Sequence, residues 1–225
     1  MRIPLTRYGL PQVAVYPALA LALQAALCVF LSGVLLIVLL IALAAFLVWA
    51  LAFFRDPERE IPADDLALLS PADGTITDIG EAEVPELGGR ALRIGMFLSI
   101  FNVHLNRMPC AARVESVAYK KGRFKNAMSA DSGRVNESNS VFLTRLCEPR
   151  EKIMLRQISG AIARRIVCEA APGGEHAQGE RFGMIKFGSR AEVYLPYSDA
   201  GFKVEVKIGD KVRAGLTRLG SYGGR

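Results

Sequence analysis

The Gly188-Ser189 step is the first place where this sequence could do chemistry. The hydroxyl of Ser189 can attack the carbonyl immediately before it, and Gly188 has no side chain to shield that carbonyl. Apolar, strand-like runs flank the step, and a corner between strands is a place where backbone strain can be stored for a reaction. The simpler interpretation is an ordinary Gly-Ser turn between two strands.

Histidine chemistry is restricted to two residues, His104 and His176. His104 lies in an alternating segment, so its two neighbours face the other way, and a single histidine on a strand is usually structural. His176 lies in the Gly-rich stretch 173–179 and is expected to be a solvated loop side chain. Without an H-x-H or H-E-x-x-H pattern, these histidines leave too few ligands for a zinc peptidase, and no metal site is expected.

Two polar stretches could supply further site residues. Asp73 lies in Pro71-Ala72-Asp73-Gly74, just before a predicted strand, and taken alone this stretch is a turn. Residues 136–140, Asn-Glu-Ser-Asn-Ser, would ordinarily form a solvated loop.

Taken together and in order, four stretches resemble the landmarks of the phosphatidylserine decarboxylase family. They are Pro-Ala-Asp-Gly at 71–74, the histidine segment ending in Met-Pro at 102–109, Asn-Glu-Ser at 136–138, and Phe-Gly-Ser-Arg at 187–190. The last is the form found in the short prokaryotic branch. Ser138 stands where the family usually has arginine, so that arginine's role does not carry over. The resemblance covers nearly the whole chain after the apolar N-terminal region.

This resemblance implies a self-cleavage that follows the logic of a serine protease triad. Asp73 would orient His104, His104 would take the hydroxyl proton of Ser189, and the alkoxide would attack the Gly188 carbonyl. β-Elimination would then separate residues 1–188 from 189–225 and leave a covalent pyruvoyl group derived from Ser189. The two fragments would stay together as a heterodimer, and a higher oligomer is left open.

The resemblance also implies a substrate. The pyruvoyl group would form a Schiff base with the amine of phosphatidylserine and accept the electron pair as carbon dioxide leaves, giving phosphatidylethanolamine. His104 would protonate the resulting carbanion. Arg107, Lys186 and Arg190 are candidates for binding the serine carboxylate, by proximity in the sequence. Soluble pyruvoyl enzymes act on free amino acids, and a membrane-anchored binding module without chemistry is a further alternative.

Residues 1–54 predict a membrane anchor. Residues 34–54 contain no charged or strongly polar side chain and are long enough to cross a bilayer as a helix. An earlier apolar run covers roughly residues 13–31, so the sequence favours a helical hairpin with both ends in the cytoplasm. The flanking cations agree with the positive-inside rule: Arg2, Arg7, Arg55 and Arg59. The expected location is the inner cell membrane, with the catalytic domain on the cytoplasmic side.

Two alternatives exist for the first apolar run. It could be an interfacial helix, which would leave residues 34–54 as the only span. A cleaved signal peptide fits poorly, because a second apolar run follows directly and no small-residue cleavage site separates the two.

After a charged, proline-bearing linker at 55–64, residues 65–225 predict a mostly β, compact, barrel-sandwich-like catalytic domain, because short alternating segments are separated by Gly-rich turns. Gly209-Asp210-Lys211-Val212 also resembles the turn of lipoyl- and biotinyl-type barrel-sandwich domains. The expected strands are 75–79, 91–98, 103–106, 113–120, 141–146, 152–158, 161–168, 184–187, 191–195 and 203–208.

Charge and cysteine content limit the partners. The chain has a formal net charge of +6, and the part after residue 54 carries +4 because Arg2 and Arg7 lie before it. The basic residues are scattered among acids without a dense stripe, so the charge favours an anionic lipid surface over nucleic acid. The cysteines form no C-x-x-C pair, which favours reduced thiols over disulfides or zinc ligands: Cys28, Cys110, Cys147 and Cys168.

Overall fold

The structure is a computed structural model that describes residues 4–128, 132–161, 165–186, 188–197 and 201–223. It divides into two compact units, Met1–Glu58 and Arg59–Arg225. Three predicted features lie outside the described residues: Arg2, Phe187 and part of the strand expected at 161–168.

The first unit contains two antiparallel apolar helices, α1 (Leu10–Phe30) and α2 (Gly33–Phe53). The chain reverses between them at Gly33, whose φ of 71° lies in the left-handed region that glycine tolerates best. The ring of Tyr16 lies 6.4 Å from Phe46, centroid to centroid, and joins the two helices. Both helices are long and apolar enough to cross a membrane, which confirms the predicted hydrophobic hairpin and fits membrane association.

The second unit is built from short antiparallel strands and one single-turn helix, α3 (Ser132–Val135). The strands are β1 (Ala67–Leu69), β2 (Gly74–Val84), β3 (Gly89–Leu98), β4 (Leu105–Arg107), β5 (Ala112–Lys120), β6 (Ser138–Arg145), β7 (Lys152–Ser159), β8 (Ile166–Cys168), β9 (Glu175–His176), β10 (Arg181–Ile185), β11 (Ser189–Pro196), β12 (Phe202–Val204), β13 (Lys211–Val212) and β14 (Arg218–Tyr222).

These strands form one large sheet and two small ones. The large sheet has the order β13-β2-β3-β11-β7-β6-β5-β9, and the small sheets have the orders β1-β14-β12 and β4-β10-β8. The predicted mostly β fold is therefore confirmed. Strand β11 lies between β3 and β7 and pairs with both over most of its length, so it is a central strand of the large sheet.

The period of two in β11 separates a core face from an outer face. Ala191, Val193 and Leu195 belong to the main hydrophobic core, whereas Arg190 makes ion pairs on the opposite face. Ser189 has the same parity as the three core residues. The strand therefore carries the candidate nucleophile on its inner face.

The expected strands differ from the observed ones mainly at their ends. Strand β4 begins at Leu105 instead of residue 103, and β12 is shorter than the expected 203–208. Strands β1, β9, β13 and β14 were not predicted, because two- to five-residue strands have too short an alternation to recognise.

Candidate active site

The Gly188-Ser189 bond lies at the entrance to the central strand. Strand β10 ends at Ile185, and β11 begins at Ser189, opposite Leu98 of β3 and Ser159 of β7. Gly188 has a φ of 62°, so the chain leaves strand geometry at the residue whose carbonyl precedes Ser189. The left-handed conformation costs a side-chain-bearing residue about 1–2 kcal/mol, which explains a glycine at this position.

Gly160, directly after β7, makes room for this carbonyl. A Cβ built on Gly160 would lie 2.0 Å from the carbonyl oxygen of Gly188 and 2.9 Å from its carbon. The methyl of Ala127 lies 3.3 Å from the same position. The carbonyl of Gly188 therefore lies against the backbone of Gly160, a contact that the sequence alone did not indicate.

The hydroxyl of Ser189 is completely buried and has no hydrogen-bond partner among the described residues. A buried hydroxyl without a partner costs about 1–3 kcal/mol, so native proteins seldom keep one without a reason. Here the hydroxyl belongs to the residue that directly follows the Gly188 carbonyl, so it is the candidate for attack on the preceding peptide bond.

His104 lies at the same end of the fold. The amide of Ile185 donates to the carbonyl of His104 across 3.2 Å, which joins the histidine to the segment leading into Gly188. The Nδ1 atom of the buried ring lies 3.0 Å from the carbonyl oxygen of Asn102. Because a carbonyl only accepts, Nδ1 carries the hydrogen in this contact, and the lone pair of neutral His104 is on Nε2.

Asp73 has partners other than His104. Its two carboxylate oxygens accept from the guanidinium of Arg59 at 2.7 and 2.9 Å, and the amide of Ala214 donates to Oδ1 at 2.8 Å. The side chains of the pair are 7% and 10% exposed, so this is a nearly buried, two-pronged ion pair. The Nδ1 atom of His104 contacts the Asn102 carbonyl, and the carboxylate of Asp73 contacts Arg59 and Ala214, so the role of Asp73 in orienting His104 stays a prediction. The sequence interpretation had placed Arg59 among the membrane-flanking cations.

Asn136 is fully buried, unlike the solvated loop side chain that its composition suggested. Its amide nitrogen donates to the carbonyls of Lys125 and Ser159, and its oxygen accepts from the amide of Lys125. It thus clamps the loop after β5 to the end of β7, beside Gly160. Ser138, where the family usually has arginine, accepts from the guanidinium of Arg156 at 3.2 Å.

A buried amide network that the sequence did not indicate supports β4. Gln157 of β7 donates to the side chain of Asn106 at 2.9 Å and accepts from Asn139 at 3.3 Å. The three amides connect the strand that follows His104 to the large sheet. Buried amides need hydrogen-bond partners, and here they find them in one another. The network therefore fixes the small sheet that contains β4 against the large sheet.

The three candidate cations occupy different places. Lys186 is buried two residues before Gly188, and burial, together with the charge of Arg165, lowers its pKa. Arg107 lies three residues beyond His104 in β4, about 10 Å along the strand, and donates to the carbonyl of Gly179. Lys186 directly follows β10, whose last residue, Ile185, donates to the carbonyl of His104.

Arg190 is engaged on the outer face of β11. Its guanidinium pairs with Asp78 and Glu192 and donates to the hydroxyl of Thr77 at 2.9 Å. Burial alone would raise the pKa of Asp78, but the hydrogen bond and charge of Arg190 outweigh it and hold that pKa below its usual value. Although Arg190 adjoins Ser189 in β11, its side chain lies on the opposite face of the strand and is engaged in internal ion pairs.

Comparison with known proteins identifies the family. Residues 46–220 match the family model of phosphatidylserine decarboxylase. The chain is 40% identical over 220 residues, 97% of each chain, to the phosphatidylserine decarboxylase proenzyme of Desulfotalea psychrophila. It is 41% identical over 203 residues, 86% of this chain and 92% of the relative, to that of Nitrosomonas eutropha. The chain therefore belongs to the phosphatidylserine decarboxylase family of enzymes.

Proposed function

We propose that this chain is a proenzyme that cleaves itself between Gly188 and Ser189, converts Ser189 to a pyruvoyl group, and then decarboxylates phosphatidylserine to phosphatidylethanolamine. The observation that carries the proposal is the buried Ser189 hydroxyl, which has no partner among the described residues. Its preceding carbonyl occupies the space left by the missing side chain of Gly160. The relatives' names, which include the word proenzyme, support processing.

His104 is the proposed base in the first step. The Asn102 carbonyl holds the hydrogen on Nδ1, which leaves the Nε2 lone pair to accept the hydroxyl proton of Ser189. The alkoxide oxygen then bonds to the Gly188 carbonyl carbon, the peptide C–N bond breaks, and the Ser189 nitrogen takes the proton. The product is an ester between Gly188 and the side chain of residue 189.

The second step breaks the ester by β-elimination. Loss of the α-hydrogen of residue 189 expels the Gly188 carboxylate and leaves dehydroalanine. Its imine tautomer adds water and loses ammonia, which completes a pyruvoyl group at the new N-terminus. No external oxidant or reductant is needed.

Asp73 is proposed as a positioning residue. Its ion pair with Arg59 fixes the loop 70–73, and in that loop the carbonyl of Pro71 accepts from the amide of Arg107 at 2.9 Å. Arg107 belongs to β4, which directly follows His104. The carboxylate therefore influences the histidine through the placement of β4.

A pyruvoyl group at position 189 supplies an electrophilic carbonyl that accepts the electron pair released by decarboxylation, which no ordinary side chain provides. Lys186 is the proposed cation for the anionic substrate. Because burial lowers its pKa, a nearby carboxylate or phosphate stabilises its charged form more than it would for an exposed lysine. Arg107, buried at the end of β4 farther from His104, is the second candidate.

After cleavage the fragments 1–188 and 189–225 are proposed to stay together. Strand β11 of the small fragment pairs with β3 and β7 of the large one, and β14 pairs with β1. The Arg190–Asp78 ion pair also crosses between the fragments. The hydrogen bonds and core contacts of a central strand make dissociation without unfolding unfavourable.

The proposed membrane location and orientation of the enzyme follow from α1 and α2. A hairpin of two spans flanked by Arg7 and Arg55 is proposed to place both ends on the cytoplasmic side of the inner cell membrane. The second unit would then meet its lipid substrate from the cytoplasm. Protease treatment of inside-out membrane vesicles should remove the second unit, whereas intact spheroplasts should protect it.

The mass of the purified full chain tests the cleavage. The intact chain is 24.4 kDa, so cleavage before Ser189 gives pieces of about 20 and about 4 kDa by proportion to length. Ser189→Ala should remain a single chain, whereas Ser221→Ala, which alters a serine of β14, should be cut normally. A wild-type preparation that is uncut with an unmodified Ser189 would overturn the proposal and favour a membrane-anchored binding module. Borohydride, which reduces ketones, should abolish activity of the cut enzyme.

A further inference from the structure

The end of β5 and the loop after it carry a local concentration of positive charge. Residues 119–128, Tyr-Lys-Lys-Gly-Arg-Phe-Lys-Asn-Ala-Met, contain four basic residues and no acidic one. All four basic side chains are exposed: Lys120, Lys121, Arg123 and Lys125. We call residues 119–128 the basic loop.

Large apolar side chains are exposed in and beside the basic loop. Tyr119 is 62% exposed, Phe124 40% and Met128 66%. Phe101, in the turn between β3 and β4, is 69% exposed. Single exposed apolar residues are ordinary on protein surfaces, but apolar tips interleaved with cations are typical of segments that bind the interface of anionic bilayers.

The basic loop lies directly beside the scissile bond. Ala127 contacts the position over Gly160 where the Gly188 carbonyl is seated. The side chain of Asn136 accepts from the main-chain amide of Lys125 and donates to the main-chain carbonyl of Lys125. On the other side, Ile100, the neighbour of Phe101, is the nearest side chain to Gly188, 3.8 Å from a Cβ built there. The basic loop and the turn that carries Phe101 therefore both lie at the end of the fold where Ser189 lies.

We propose that the basic loop, together with Phe101, docks the second unit on an anionic phospholipid bilayer, so that the end carrying Ser189 faces the lipid head groups. This inference rests on the proposed function, in which the substrate is a membrane lipid. The partner follows from charge complementarity: four cations attract anionic head groups, while Phe101, Phe124 and Met128 enter the interface. An enzyme held by its helices alone would leave the distance between site and lipid unspecified.

A single-tryptophan version of the full chain tests the docking directly. Trp49→Phe removes the only native indole, and Phe124→Trp places one in the basic loop. The chain is reconstituted into vesicles of phosphatidylcholine brominated on its acyl chains, either alone or mixed equally with phosphatidylglycerol. Bromine should quench the fluorescence in the mixed vesicles and much less in pure phosphatidylcholine. Raising the salt from 0.1 to 1 M, which shortens the Debye length from about 10 to about 3 Å, should reduce quenching.

Tyr197→Trp in the same background is the matched control. Tyr197 is 52% exposed and follows β11 at the end opposite Ser189, about 25 Å along the strand. Its indole should show no composition-dependent quenching. Equal behaviour of the two indoles, or no quenching at position 124 in the anionic vesicles, would overturn the proposal.

Charge neutralisation tests the consequence for catalysis. One variant changes the four cations of the basic loop: Lys120→Gln, Lys121→Gln, Arg123→Gln and Lys125→Gln. The control makes the same change in charge on exposed residues elsewhere in the unit: Lys203→Gln, Lys207→Gln, Lys211→Gln and Arg213→Gln. Each cation near an anionic surface contributes about fivefold to binding. Because the helices already hold the enzyme at the membrane, we expect a smaller total effect, a rise of about tenfold in KM expressed as the surface fraction of phosphatidylserine.

The outcomes separate this inference from the function on which it rests. The loop variant should be cut into pieces of about 20 and about 4 kDa, as expected for wild type, with kcat unchanged and only KM raised. Normal cleavage with the KM of the control variant would overturn the docking and leave the function intact. Failure of the loop variant to be cut, while the control is cut, would assign the cations to processing and refute the docking. An uncut wild type would refute the function itself.

Discussion

Replacing Gly160 with alanine tests the placement of the scissile carbonyl. The new Cβ would lie 2.0 Å from the oxygen of Gly188, and Cβ contacts under 3.0 Å essentially do not occur, so the carbonyl must move by about 1 Å. The new methyl would also lie 3.3 Å from the methyl of Ala127, which leaves it little room to shift. Gly160 does not have a φ in the left-handed region, so alanine is acceptable to the backbone itself and the clash is the main effect.

A displacement of 1 Å at a reacting centre lowers rates by about 100-fold. We therefore expect Gly160→Ala to lengthen the half-time of self-cleavage by about 100-fold. The assay follows the ratio of intact chain to the 1–188 fragment after a pulse of synthesis, by gel and by intact mass. Gly80→Ala is the matched control, since a Cβ there meets nothing within 4 Å.

Equal cleavage rates for Gly160→Ala and Gly80→Ala would refute the reasoning. A folding defect is separated from a local one by combining each change with Ser189→Ala, which keeps every chain uncut. The urea midpoints of the two uncut chains should differ much less than the cleavage rates do. A collapse of stability confined to the Gly160 variant would show that the glycine is required for folding and not for carbonyl placement.

Three further predictions concern His104, the Arg59–Asp73 pair and Cys110. His104→Ala should slow cleavage by about 10²- to 10⁴-fold, as expected for loss of a general base, and normal cleavage of that variant would remove the histidine from this step. Arg59→Gln should lower the free energy of unfolding by about 3–5 kcal/mol, because it leaves the buried Asp73 carboxylate without its main partner; in urea titrations, adding Asp73→Asn should recover part of the loss. Burial raises the pKa of Cys110 from 9.0 to about 12, so the folded protein should resist alkylation of this thiol at pH 8. Between about pH 9 and about pH 12 the thiol ionises in the unfolded chain but not in the folded one, so the free energy of unfolding should fall as the pH rises. Rapid labelling of Cys110 in the native protein would contradict this.

The sequence predicted the parts of the fold that have long, regular patterns. The apolar run of 34–54 and the strands expected at 91–98, 152–158 and 191–195 correspond to α2, β3, β7 and β11. These elements are either uniformly apolar or alternate over many residues, so composition alone distinguishes them. Edge strands of two or three residues carry no such pattern and depend on pairing with distant segments.

The contacts of the site depend on tertiary structure that a linear pattern does not contain. Sequence order suggested Asp73 as the partner of His104, whereas in space Nδ1 of the ring lies 3.0 Å from a main-chain carbonyl two residues away. Arg59 is separated from Asp73 by a strand and a linker, and its guanidinium was assigned to the membrane boundary. Gly160 follows β7 in a Ser-Gly step that is typical of any turn, and its importance emerges only from the position of Gly188.

The average charge of residues 55–225 conceals a local cluster of basic residues. Across residues 55–225 the basic and acidic groups nearly balance and appear scattered, which led to the expectation that no dense basic stripe exists. The basic loop contradicts this locally, because its four cations occur without an acid in residues 119–128. Membrane attraction decays within a Debye length, so a local cluster at the lipid-facing end determines binding more than the net charge does.

The Gly188-Ser189 bond lies at a boundary between rigid and permissive backbone, which favours the proposed cleavage there over any other bond of β11. In a regular strand each carbonyl lies in the plane of the sheet and bonds to a neighbouring strand, while the side chains stand perpendicular to it. A serine inside β11 would therefore face away from a carbonyl already held by the ladder. At residue 188 a left-handed φ turns the carbonyl out of the ladder and onto Gly160, while Ser189 is already fixed by pairing on both sides. The rigid strand holds the nucleophile and the glycine supplies the bend, so both residues of the pair are required by geometry before any base acts.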